Sequence, residues 1–442
     1  MCNTGSTEER MRGAARLDER DVAQDAGLGE LPDGWRMVSM GDVASINMGQ
    51  SPPSSTYNTQ GEGLPFLQGK AEFGMVYPAP VKWCNAPAKT AVAGSVLVSV
   101  RAPVGDVNLA QEACCIGRGL AAVDGGDDLD NEFLFFYLVF SKSRLESRGT
   151  GSTFQSINKK VLQEFPLTLP PLPEQRAIAH VLSTVQQAIE ATEKVIAATR
   201  ELKRSLMRHL FTYGPVPLQE AERVPLKETE IGHIPGHWRI APLGKLARIG
   251  NGSTPHRSDP RYWDGGTLPW LTSGKIHDGI IRQADEFVTP VAKSECHLPA
   301  VRSRSLLVAI TGQGKTLGNV AMVTFDTCIS QHLAYIEFQD DSVHPEYMLA
   351  FLQSRYSDFR QAAGAGGSTK GALTCAYLRQ HAVPVPPIEE QRRIADVLRC
   401  VDRKIEAEEK RRVALEELFR SLLHHLMTGK VRVDPSIAAQ EV

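Results

Sequence analysis

Three kinds of segment in this 442-residue chain carry side chains suited to chemistry on phosphate or on base edges. The most pointed is Ala309-Ile310-Thr311-Gly312-Gln313-Gly314-Lys315-Thr316, a relaxed nucleotide-binding loop with Ala where the first Gly is usual. Such a loop must open a helix, so that N-terminal amides face the phosphates. Here Leu317-Gly318-Asn319-Val320-Ala321-Met322-Val323 follows, a glycine and then a β-type run, so the spacing predicts a loop between two strands. The first half has Val100-Arg101-Ala102-Pro103-Val104-Gly105 at the matching place, which leaves Arg101 and Lys315 as basic residues on a shared loop. A second kind of segment is Gly149 to Lys160 and its counterpart Gly364 to Leu373. Thr153, Lys159, Lys160, Thr369 and Lys370 there offer hydroxyls and charge beside free glycine amides, which suits phosphate contact. A plain connection into the next helix is the alternative. The third kind is Gln68-Gly69-Lys70 and Ser273-Gly274-Lys275, where Gln suits adenine and Lys suits guanine. Each of these residues taken singly also fits a solvated surface.

Other chemistries lack their residues. No Gly-x-Ser-x-Gly elbow, His-x-x-x-His zinc helix or methyltransferase fingerprint is found, so no catalytic site and no metal site is expected. His424 and His425 are neighbours near a helix end and point apart. Eight cysteines without a Cys-x-x-Cys pair read as reduced, structural thiols in a cytoplasm. The longest apolar run, Phe133 to Phe140, is far short of the ~20 residues of a membrane span and reads as one buried helix. The first thirty residues read as a disordered tail, neither signal peptide nor anchor. The net charge is −2, with residues 31–170 at −2 and residues 233–385 at +3. Strong sequence-independent affinity for nucleic acid is not expected of the chain alone, so partners would supply charge.

The elements that must position these segments come twice. Leu31-Pro32-Asp33-Gly34-Trp35-Arg36 returns as Ile234-Pro235-Gly236-His237-Trp238-Arg239. Pro170-Pro171-Leu172-Pro173-Glu174-Gln175-Arg176-Ala177-Ile178-Ala179 returns as Pro386-Pro387-Ile388-Glu389-Glu390-Gln391-Arg392-Arg393-Ile394-Ala395. A period of roughly two hundred residues exceeds any solenoid repeat and suits duplicated domains. Each half mixes short strands with helices in irregular order, so the fold class is mixed α/β, of the α+β kind. Each half then runs into a long helical arm. Ile178, Leu182, Val185, Ile189, Ile196, Leu206 and Leu210 hold a four-three spacing in the first arm. Ile394, Leu398, Val401, Ile405, Leu415, Phe419, Leu422 and Leu426 hold it in the second, a coiled-coil signature. Thr192, Thr199 and Lys203, and Glu408 and Arg412, interrupt the two seams near their centres; parallel and antiparallel pairing both bring centre to centre. The resulting division is a tail at 1–30, a globular domain at 31–170, an arm at 171–213, an extended linker at 214–232, a second domain at 233–385, a second arm at 386–430 and a polar tail at 431–442.

With the tryptophan opening and the Pro-Pro-[Leu/Ile]-x-Glu-Gln-Arg-x-Ile-Ala helix start both repeated, residues 31 to about 430 resemble the specificity subunits of type I restriction–modification enzymes. The resemblance implies two target-recognition domains held apart by two antiparallel coiled-coil helices, with pseudo-two-fold symmetry. Each domain would read one half of a bipartite, asymmetric double-stranded DNA target. It implies a noncatalytic chain without cofactor, bound by two methylation subunits that supply S-adenosylmethionine and by restriction/translocation subunits that use ATP and Mg2+. Glu174, Gln175, Arg176, Glu390, Gln391 and Arg392 become candidate docking residues for those partners, with N-terminal helix capping as the alternative role. The loops differ most after the tryptophans, Arg257 to Trp263 against Ser54 to Asn58, so the two half-sites are expected to differ. Two other functions are to be weighed: a nucleotide hydrolase using Lys315 and Thr316, and a coiled-coil adaptor that binds only protein.

Overall fold

The computed structural model describes residues 31–149, 156–312, 314–364 and 372–439. The chain divides into two compact units, one of residues up to Glu193 with those from Lys410 onward, the other of Lys194–Glu409.

In the first unit the chain enters and leaves its globular part through a two-stranded clasp. Strand Arg36–Ser39 runs antiparallel to Pro166–Leu169, with Arg36 opposite Leu169. Between them lies an antiparallel sheet in the order Ala44–Met48, Leu120–Gly125, Val96–Ser99, Val107–Leu109. A second sheet, of five short strands, contains one parallel pair, Leu64–Leu67 beside Cys114–Ile116. The apolar run is helix Asn131–Phe140, buried from Phe133 through Leu138 and capped by the Asp130 carboxylate on the Phe133 amide (3.0 Å). A helix apolar on all sides has to sit inside a core, and this one does.

The second unit repeats the plan. Arg239–Pro242 clasps Ala382–Val385, and Ala247–Asn251, Leu333–Phe338, Leu306–Ala309 and Val320–Val323 form an antiparallel sheet extended by Ile280–Ile281. Leu268–Leu271 runs parallel to Cys328–Ile329, as its counterpart does in the first unit. The mixed α/β class expected from the sequence holds in both units.

The arms are helices Leu172–Tyr213 and Ile388–Met427, of 42 and 40 residues. At 1.5 Å per residue each is roughly 60 Å long. In the first unit the core takes Ala177, Ile178 and Leu182 from the start of the first arm and Leu423, Leu426 and Met427 from the end of the second. In the second unit it takes Leu210 and Phe211 from the end of the first arm and Ile394, Ala395 and Leu398 from the start of the second. There Arg200 pairs with Glu409 at 2.5 Å and Lys203 with Asp402 at 2.6 Å. Numbers rise on one helix as they fall on the other, so the arms are antiparallel. The polar interruption Thr192 is buried and satisfies itself, its hydroxyl donating to the Ala188 carbonyl at 2.7 Å.

One connecting segment departs from expectation. Residues 214–232 are not simply extended: a short 3-10 turn at Leu218–Arg223 is followed by strand Leu226–Thr229, which makes a hairpin with Gly232–Pro235. Three prolines suggested a linker, but the alternating Leu-Lys-Glu-Thr finds a partner strand within reach. The C-terminal tail is anchored where it leaves the arm. Arg432 makes a two-pronged ion pair with Glu174 (2.5 and 2.7 Å), and Val433 is buried in the first unit's core. The N-terminal tail lies outside the described residues.

Buried imidazoles give the second unit an acid-sensitive point. His381 lies against Phe359 and Tyr377, and its Nε2 is buried without a hydrogen-bond partner. Burial, reinforced by nearby Arg355, pushes its pKa below the ordinary 6.5. Burial does the same to His344. The unfolded chain takes up protons near pH 6.5 while the folded chain resists them, so stability is full above that pH and is lost as the pH falls below it. Urea midpoints are expected to drop between pH 7.5 and 5, and His381→Phe is expected to flatten the drop. An unchanged pH profile in that variant would show that His381 contributes nothing to it.

Candidate nucleic-acid interface

Each unit gathers loops at one end of its main sheet through the same set of backbone bonds. In the first unit the Gly49 amide donates to the Leu120 carbonyl (2.9 Å), Gln50 to Ile116 (3.0 Å), Gly117 to Leu67 (2.8 Å) and Val100 to Gly119 (2.9 Å). In the second, Gly252 donates to Leu333 (3.1 Å), Ser253 to Ile329 (3.1 Å), Ser330 to Leu271 (2.9 Å) and Ile310 to His332 (3.0 Å). The loops approach so closely that only glycine fits at the crossing. A Cβ on Gly49 would stand 2.2 Å from the Gly117 carbonyl oxygen, and one on Gly252 2.0 Å from that of Ile329.

Five of the eleven sequence-predicted residues lie on these loops or close to them in the chain. Gln68 is exposed, and its amide donates to the Ser51 hydroxyl (3.0 Å), which also accepts from the Arg118 backbone (3.3 Å). Arg101 is exposed and bridges backbone-to-backbone with Ser156, so the described end of the Gly149–Lys160 segment joins the same cluster. Thr311 bridges Ala372 in the same way in the second unit. Lys159 and Lys160 open a short helix and are exposed, with Lys160 3.7 Å from Glu164. Lys315 is exposed and its carbonyl accepts the Tyr356 hydroxyl (3.0 Å). Thr153, Thr369 and Lys370 lie outside the described residues.

Two predicted lysines are committed elsewhere. Lys70 is paired with Asp106 at 2.7 Å, and Lys142 reaches the same carboxylate at 2.6 Å. Burial works against the Asp106 charge, but hydrogen bonds from Lys142 and Lys70 outweigh it and hold its pKa below the usual range. Lys275 pairs with Asp285 at 2.9 Å, and neighbouring Ser273 is half-buried. Both lysines therefore brace their loops. The missed candidates are Arg118, Gln331 and His332, on the tight turns after Ile116 and Ile329. His332 Nδ1 lies 2.5 Å from the Thr311 hydroxyl. The signal was available: Cys-Ile-x-x-x-Leu recurs in both halves, with Gly117-Arg118-Gly119 in one and Ser330-Gln331-His332 in the other.

The relaxed phosphate-loop motif lies in a hairpin. Leu306–Ala309 and Val320–Val323 pair antiparallel across it, Leu306 opposite Met322, so the segment leads into a strand and offers no helix N-terminus to a nucleotide. Among the described residues no cluster of His, Cys, Asp or Glu is placed to hold a metal ion, and no helix is long and apolar enough to cross a membrane.

The repeated Glu-Gln-Arg is a joint, which corrects its reading as a docking surface for four of the six residues. Glu174 is buried and accepts from the Trp35 indole (3.2 Å); Glu390 accepts from the Trp238 indole (2.9 Å) and lies 2.8 Å from His237. Gln175 is fully buried, accepting from the Asp130 amide and donating to the carbonyls of Asp128 and Pro170. Gln391 repeats this with His344, Ser342 and Pro386. Each pair locks an arm to the domain it follows, because a buried carboxylate or amide has to be met by donors and acceptors. Only Arg176 and Arg392 keep exposed side chains.

The model of the type I restriction modification DNA specificity domain matches residues 32–199 and 235–417. The chain belongs to this family. It is a specificity subunit of a type I restriction–modification system, a DNA-recognition subunit. It is 47% identical over 188 residues to the MjaX specificity subunit of Methanocaldococcus jannaschii, a match spanning 42% of this chain and 44% of that relative. Across 91% of its length it is 22% identical to the MjaVIII specificity subunit of the same organism, covering 94% of that protein. Among solved structures, the S subunit of a type I system from M. genitalium aligns with a TM-score of 0.62 at 18% identity, over 90% of this chain and 98% of that one. The two-domain, two-arm fold of this specificity subunit is thus shared well beyond recognisable sequence identity.

Proposed function

We propose that this specificity subunit reads a split double-stranded DNA target, one half-site per globular half, and has no catalytic role of its own. The supporting observation is the pair of loop clusters: the same strand ends, the same backbone bonds and different exposed side chains. Arg101 and Arg118 in one stand where Thr311 and Gln331 stand in the other. Equal frames with unequal side chains suit equal placement on DNA with unequal base preference. Methylation subunits would supply S-adenosylmethionine and adenine chemistry, and restriction/translocation subunits would supply ATP- and Mg2+-dependent steps, in the cytoplasm. Arg176 and Arg392, exposed at the arm starts, remain the docking candidates.

Methylation profiling of host DNA tests this. Arg118→Ala is expected to relax one half-site and Gln331→Ala the other, each by about 10- to 100-fold, the value of one bidentate base contact. Methylation that ignores sequence, or both variants altering the same half-site, would sink the proposal. A footprint of the complex with methylation subunits should show two protected patches around an unread gap, which a protein-only adaptor would not give.

A further inference from the structure

The second unit holds a basic cleft of about 500 Å³ that the base-reading loops do not account for. Its walls carry Arg204 and Arg208 from the end of the first arm, His233 from the hairpin, and Arg355 from the turn after helix Pro345–Ser354; Met207 and Phe211 line it too. No acidic residue lines it. Arg204 pairs with exposed Glu201, and Arg355 lies 3.6 Å from Asp358 while donating to the Ile231 carbonyl (2.9 Å). Arg208 is exposed, with no ion pair among the described residues. The Nε of Arg355 is buried and unmet.

The cleft adjoins the reading end of the sheet. Gln353, on its wall, donates to the Val320 carbonyl (3.1 Å) at the loop end of that strand, and Tyr356, next to Arg355, holds the Lys315 carbonyl. Basic residues therefore continue from exposed Lys315 past half-buried Arg355 to exposed Arg208. At the matching place in the first unit the side chains differ. The arm end Arg204-Ser205-Leu206-Met207-Arg208-His209-Leu210 recurs as Arg420-Ser421-Leu422-Leu423-His424-His425-Leu426. His424, in the place of Arg208, is faced by Phe140 at 6.1 Å between ring centroids, and Phe140 stands where the second half has Ser354.

We infer that this cleft binds a backbone phosphate of the DNA, giving the second unit a sequence-independent hold beside its base-reading loops. The ligand is a phosphate oxyanion: the guanidinium groups suit its oxygens, and Arg208, which has no ion pair among the described residues, would displace a condensed counterion. The inference rests on the DNA-recognition reading above, but it is read on different DNA. Affinity of the complex with its methylation subunits is measured for target and scrambled duplexes between 50 and 200 mM salt. R208A is expected to weaken both duplexes alike, by roughly tenfold, and to lower the salt slope by about 0.9 for each phosphate that is no longer neutralised. R204A/R208A should exceed it. Both arginines are exposed on a helix, where alanine is well tolerated. An unchanged slope, or a weakening confined to the target duplex, overturns the inference. Inorganic phosphate that titrates into the full chain in an Arg208-dependent way, with the DNA slope unchanged, assigns the cleft to a free oxyanion and overturns the DNA version. If instead R118A and Q331A leave sequence preference intact, the base-reading proposal fails while the slope on scrambled DNA still stands or falls alone.

Discussion

Replacing Trp238 by alanine is expected to cost the second unit about 3–5 kcal/mol, the range for truncating a large buried aromatic. The ring is completely buried in the core that joins the globular half to both arms, and its indole satisfies Glu390. A domain has only about 5–15 kcal/mol in hand, so the variant should be mostly unfolded at moderate urea or temperature. Trp238→Phe separates the two contributions. It keeps most of the apolar volume but takes a donor from a partly buried carboxylate, which costs about 1–3 kcal/mol. In the first unit Trp35→Ala should be milder, because Glu174 keeps a two-pronged ion pair with Arg432 whereas Glu390 keeps a single contact to His237. Urea denaturation followed by circular dichroism checks the series. A loss below about 1 kcal/mol for Trp238→Ala, well under the range for a buried aromatic, would mean that the tryptophan opening does not join arm to domain.

On the split target proposed above, lengthening both arms by one heptad is expected to widen the unread gap by about three base pairs and to leave both half-sites unchanged. Seven residues add about 10 Å of helix, and each base pair advances along the DNA axis by about 3.4 Å. The insertions belong after Glu193 and after Glu409, where each arm passes from one compact unit into the other. Seven residues preserve the seam; four would rotate the apolar stripe off its partner and should destabilise the arms instead. Methylation profiling reads the gap directly. A folded heptad variant that keeps the original gap would show that the arms do not set it.

Features set by short-range chemistry could be read from the chain alone. The apolar run Phe133–Phe140 became the buried helix, and the four-three spacing became the arms. The glycine and β-type run after Thr316 marked a loop between strands, whatever its likeness to a phosphate-binding motif. The strand-end loops were partly legible: Arg101, Lys315 and Gln68 were candidates from the sequence, whereas Arg118 and Gln331 beside them were not. Their turns are short and carry no composition signal beyond their place in the repeat.

Local pattern was enough to establish that the molecule is built twice, which elements each half contains, and the family to which it belongs. What each charged or polar residue does emerged from the folded arrangement. Glu174 and Gln175 read as surface groups at a helix start, yet both are buried; Glu174 is met by a tryptophan 139 residues earlier and by an arginine 258 residues later. Lys70 and Lys275 read as free cations and are held by Asp106 and Asp285. The heptads left arm direction open, and ion pairs between distant residues fixed it. The physical reason is range. Helix periodicity and turn preference act over a few residues, whereas burial and charge pairing depend on which remote segment the fold brings within about 3 Å.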